Sequence, residues 1–112
     1  MEKEQLTKAG MKVLAELHNE RINDHLFVIR DYDGDLMIIH SYLNGLDETP
    51  MVEFYLESAF TRREQRKLRR NPKAFLEVFD QNIVNAVPDW SETEQEFVDA
   101  LTKYTHELED GE

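Results

Sequence analysis

Four histidines, His18, His25, His40 and His106, and 24 carboxylates are the groups in this chain able to ligate a metal or carry a proton. Two or three imidazoles suit zinc, and a hairpin joining residues 25–32 to 35–42 sets His25 and His40 diagonally on one face, with His18 near enough to approach them. The ordinary role of a strand-end histidine is a local hydrogen bond at a partly buried position. Asp31-Tyr32-Asp33-Gly34-Asp35 resembles the start of a calcium loop. An EF-hand, however, needs a bidentate acid at its twelfth position, which here is Tyr42, and helices on either side, where this run has strand-like flanks. The serines are Ser41, Ser58 and Ser91, and none lies in a Gly-x-Ser-x-Gly turn. Gly10, Gly34, Gly45 and Gly111 stand apart, so no glycine loop can cradle phosphate. The absence of cysteine removes thiol nucleophiles, thiolate metal sites and disulfides together. The expectation is a protein with no catalytic residue, no bound metal and no cofactor.

The elements that would position these groups follow from periodicity. Leu6, Ala9, Val13, Leu14 and Leu17 recur at three- and four-residue steps and predict a helix over residues 3–20, with Gly10 an interior weakness of about 1 kcal/mol. Residues 25–32 and 35–42 predict two strands joined at Asp33-Gly34, a pair suited to a tight two-residue turn, with Arg30 opposite Met37 and Val28 opposite Ile39. Residues 51–57 alternate as a third strand, Val52, Phe54 and Leu56 on one face and Glu53, Tyr55 and Glu57 on the other. Thr61-Arg62-Arg63-Glu64 has capping-box form and opens a basic helix. Asn71-Pro72 ends it and starts another, whose stripe is Phe75, Leu76, Phe79, Ile83, Ala86 and Val87, stopped by Pro88. Ser91-Glu92-Thr93-Glu94 predicts the cap of a last helix with Phe97, Val98, Leu101, Tyr104 and Leu108 inward. The sum is an α+β fold in one domain over 1–112: an N-terminal helix, a three-stranded antiparallel sheet, then two to three helices.

The hairpin is apolar on both faces. Helices on both faces would bury it; helices on one would leave Leu26, Val28, Met37, Ile39, Tyr32 and Tyr55 as a patch for a partner or a second copy. The sequence leaves both arrangements open.

Charge is the remaining signal. The net charge is −11, yet Arg62, Arg63, Arg66, Lys67, Arg69, Arg70 and Lys73 fall within twelve positions beside the single acid Glu64. That segment carries +6 and the remainder −17. From Glu77 onward eleven acids accompany only Lys103. Segregated charge sets up fields that guide partners more than it stabilises a fold. The N-terminal Met1–Gln5 is charged, unlike a signal peptide, and the longest apolar run, Leu36–Ile39, is too short to span a bilayer, so a cytoplasmic chain is expected.

Small size, acidity and a helix–three strands–helices order resemble some phage-encoded inhibitors, among them type II-A anti-CRISPR proteins, which occupy the DNA-binding surface of their target nuclease. The likeness is one of element order and charge, with no shared motif. It implies a non-catalytic inhibitor or regulator that mimics DNA, docking Glu92, Glu94, Glu96 and Asp99, with Glu53, Tyr55 and Glu57 as a second set, on a protein with a basic surface. The competing expectations are a nucleic-acid-binding regulator that uses the seven cations of 62–73, and a homodimeric adaptor joined through the outer hairpin face.

Overall fold

Gly10 decides the N-terminal third of the chain. It sits at φ +85°, in the left-handed region that glycine enters without penalty. Its N–H bonds to the Thr7 carbonyl at 3.0 Å and the Met11 N–H bonds to Leu6 at 3.2 Å. That pair of bonds is a Schellman stop, and Met11 packs in the same cluster as Leu6, as the motif favours. The expected helix over 3–20 is therefore cut short: α1 spans Lys3–Lys8 and strand β1 spans Lys12–Asn19. The three-and-four spacing that imitated a helix has two sources. Leu6 belongs to α1 and Ala9 caps it, and a β-bulge inserts Leu14 between Val13 and Ala15, so β1 presents apolar groups to both sides of the sheet.

The computed structural model describes residues 1–19, 24–31 and 33–110, with side chains as far as residue 103. The expected inward positions of Tyr104 and Leu108, the placement of His106 and the outer-face role of Tyr32 lie outside the described residues. After β1 come β2 (Asp24–Arg30), β3 (Leu36–Leu43), β4 (Pro50–Leu56), α2 (Arg62–Arg70), α3 (Pro72–Gln81), β5 (Trp90–Thr93) and α4 (Glu94–Asp110), with 3₁₀ turns at Glu57–Ala59 and Ile83–Asn85. The α+β class stands, but the sheet has five antiparallel strands in sequential order, not three. β5 occupies residues expected to cap the last helix. Thr93, not Ser91, is the cap: its hydroxyl accepts the Glu96 N–H at 3.1 Å and donates to the Glu96 carboxylate at 2.9 Å. The other two helix starts follow their sequence signals, Thr61 bonding with Glu64 in both directions and Asn71 capping Ala74 N–H ahead of Pro72. The α3 stripe is Phe75, Leu76 and Phe79, continued by Ile83 and Ala86, whereas Val87 is 86% exposed beyond the helix end.

The hairpin register differs from the expected one by a residue. Ile29 faces Met37 and Val28 faces Ile38. The reason is the turn: Asp31 and Asp35 close it through a backbone bond of 3.0 Å, while the Asp31 carboxylate accepts the N–H groups of Asp33 and Asp35, and Gly34 holds φ +84°. The loop is thus longer than the two residues Asp33-Gly34. A slip of one residue turns every side chain of a strand to the other face. Leu36 and Ile38 join Leu26 and Val28, and Met37 and Ile39 join Phe27 and Ile29.

Both faces are covered. α1 and α4 lie over Phe27, Ile29, Ile39, Val52 and Phe54, contributing Leu6, Phe97 and Leu101. α2 and α3 lie over Leu26, Val28, Leu36, Ile38 and Tyr55, contributing Leu68 and Leu76. The outer patch expected for a partner or a second copy is therefore core: Leu26, Val28 and Ile39 are at most 1% exposed and Tyr55 is 4% exposed. Among the described residues no helix is long and apolar enough to cross a membrane.

Gly10→Ala distinguishes the two accounts of residues 3–20 by sign. In a continuous helix it would stabilise by about 1 kcal/mol; at a left-handed stop it destabilises by about 1–2 kcal/mol. A urea unfolding curve for the variant, with a lower midpoint than the parent, is the expected result.

Candidate functional site

The cationic helix is anchored by few groups. Leu68 is its one apolar residue and is fully buried. Arg69 does the rest: its Nε and one terminal nitrogen bond the two Glu57 carboxylate oxygens at 2.7 Å each, and the same terminal nitrogen reaches the Gly34 carbonyl at 2.9 Å. Glu57 is 8% exposed, so a fork-on-fork pair with arginine is what lets a carboxylate sit there. Lys73, on α3, donates to the Glu16 carbonyl. The other five cations, Arg62, Arg63, Arg66, Lys67 and Arg70, are exposed, and among the described residues none makes an ion pair.

The acids expected to dock are placed differently from one another. Glu96 and Asp99 are exposed on α4, the first closing the cap with Thr93 and the second accepting Gln95 at 2.8 Å. Glu94 is half-buried, 2.8 Å from the Met1 ammonium. Glu92 is half-buried on β5, where burial and the Glu96 charge push its carboxyl above the usual range. The second set faces α2 and α3, not water. Tyr55 is buried with its hydroxyl donating to Glu53 at 2.6 Å, and Glu57 is committed to Arg69.

The one-residue slip also separates the histidines. His25 pairs with Ser41 and His40 with Leu26, so His25 and His40 project from opposite faces of the sheet. His18 lies opposite His25, their rings 4.9 Å apart, and His25 rests on Phe27 at 4.2 Å. Burial, and next the neighbouring His18, holds His25 below the usual histidine range. His40 enters a network that sequence reasoning missed. Its Nε2 is 2.6 Å from Asp24, its Nδ1 is 3.6 Å from Glu53, and Tyr42 stacks on the ring. Tyr42 also bonds Glu53, and burial with that bond pushes its hydroxyl up to about 12. His40 is 6% exposed, so this network is an interior polar seam. The signal for it was the cross-strand pair His40–Glu53, legible only in the true register. The carboxylates of Asp31, Asp33 and Asp35 converge within 4.8 Å, but two backbone N–H groups already occupy an Asp31 oxygen.

What remains as a candidate site is electrostatic. α2 lies on one face of the sheet and α4 on the other, so the sheet stands between the cationic and anionic helices.

His25 sets a pH dependence of stability. Its folded pKa lies below the usual histidine value, so the folded state favours the neutral ring; the contribution is full above the unfolded value and is lost as pH falls through the folded one. Urea midpoints should therefore fall less for His25→Gln than for the parent between about pH 7 and pH 5; equal falls would show that another group sets the dependence. No family model, curated protein or solved structure matches the chain.

Proposed function

We propose that this chain is a non-catalytic binding protein that docks by charge on a protein handling nucleic acid and inhibits or regulates it. The anionic side would make the contact, led by Glu96 and Asp99 of α4 with Glu92 and Glu94 at its base. The observation that supports this is the placement of α2 and α4 on opposite faces: folding keeps the partition of charge that the sequence carries, since Arg69 is the only one of the seven cations in an ion pair among the described residues. The exposed carboxylates of Glu96 and Asp99 on one helix present negative charge as a nucleic-acid backbone does, and complementary fields set both encounter rate and selectivity. The tie to phage-encoded inhibitors keeps only acidity, because the helix–three strands–helices order is not the order of this fold.

A second reading is favoured by the five free cations. α2 presents Arg62, Arg63, Arg66, Lys67 and Arg70 without internal partners among the described residues, and each would release counterions on meeting a phosphate.

Glu96→Lys with Asp99→Lys tests the first reading. Both side chains are exposed, so stability should fall only by the loss of Glu96 at the cap, about 1 kcal/mol, while proteins captured by the parent chain from its native host should be lost. Retention of the same proteins would sink the acidic docking role. For the second, fluorescence anisotropy with a labelled duplex should show affinity falling steeply with salt, by a log–log slope of about −4 for five phosphate contacts. No binding at low salt eliminates it.

A further inference from the structure

We infer that the outer side of α2 and α3 is a docking groove for an acidic amphipathic helix of a partner protein. The groove encloses about 700 Å³ between these helices and the segment that follows α3. Its floor is aromatic: Phe60 meets Phe75 and Phe79 edge-on at 5.5 and 6.2 Å, and Phe79 meets Tyr55 at 4.8 Å. Val78 and Val87, both on its lining, are 59% and 86% exposed, and Val84 in the segment after α3 is 88% exposed. Exposed valines this close to an open aromatic floor mark an interaction surface. A helix, about 10–12 Å across with its side chains, is wide enough to cover Val78, Val87 and the aromatic floor together.

Charge fixes the character of that helix. Lys67 and Arg70 line the groove, exposed and without ion-pair partners among the described residues. The lining carboxylates are engaged: Glu64 accepts the Thr61 N–H at 2.9 Å and Asp89 accepts the Leu56 N–H at 2.7 Å. The charged donors left for a visitor are Lys67 and Arg70, and they lie beside apolar surface. An amphipathic helix with an apolar stripe and flanking glutamates satisfies both at once. At about 0.15 M salt the screening length is about 8 Å, so the six cations of α2, with Glu64 its one acid, weigh more here than the distant α4 side. The groove lies across the sheet from α4 and is independent of the acidic docking reading.

A fluorescein-labelled synthetic helix of about 18 residues, five turns, with leucines on one stripe and glutamates beside them, is the probe. Anisotropy with the full chain should show saturable binding, about tenfold tighter than for the same peptide with lysine in place of glutamate, which corresponds to about 1.4 kcal/mol. Val78→Asp with Val87→Asp, both at exposed positions, should abolish binding, and Lys67→Glu with Arg70→Glu should weaken it several-fold. Glu96→Lys with Asp99→Lys should leave it unchanged, which separates this site from the acidic one. Equal binding of the two peptides, binding that survives the valine changes, or complete displacement of the peptide by a single-stranded oligonucleotide would each overturn the assignment, the last in favour of nucleic acid.

Discussion

Burying both faces of β2 and β3 is the requirement that shapes the rest of the molecule. These strands carry Leu26, Val28, Leu36 and Ile38 on one side and Phe27, Ile29 and Ile39 on the other, all at most 2% exposed. Exposing either set would forfeit about 1.5–3 kcal/mol per large side chain. Helices are therefore laid on both sides, α1 and α4 on one face and α2 and α3 on the other. Because the basic run belongs to α2 and the acidic run to α4, an apolar requirement dictates an electrostatic arrangement.

Within that arrangement one cation of α2 is committed to structure. Arg69 joins α2 to the end of β4 through Glu57 and to the β2–β3 turn through Gly34, so one guanidinium fastens three elements. Removing it would leave Glu57 buried and uncompensated, the costly way to break such a pair. Its neighbours Arg66 and Arg70 carry no comparable duty, which is why the helix can present them to solvent without loss of attachment. A polar seam does similar work at the other end of the sheet, where Asp24 bonds His40 and Glu53 bonds Tyr42 and Tyr55, with His40 Nδ1 3.6 Å from Glu53.

Local signals were legible in the sequence, and long-range ones were not. The caps at Thr61 and Asn71 read correctly because each depends on residues three apart. The β2–β3 hairpin was visible in composition, but its register depended on the Asp31 side chain holding two backbone N–H groups, which enlarged the turn. β1 was hidden because a bulge at Leu14 gave a strand the spacing of a helix. β5 was hidden because four residues, Trp90–Thr93, gain their strand character only by pairing with β4. The cationic helix was plain from residue types alone. That the anionic helix lies across the sheet from it was not, since the face each helix covers follows from the register.

The five-stranded sheet acts as an apolar spacer between charges of opposite sign, and this gives the molecule a permanent dipole. A dipole turns in the field of a charged surface before contact, so collisions are biased toward one end of the particle. Between copies the net charge of −11 opposes contact: at about 0.01 M salt the screening length is about 30 Å and whole molecules repel, so this orienting effect acts on partners of opposite charge.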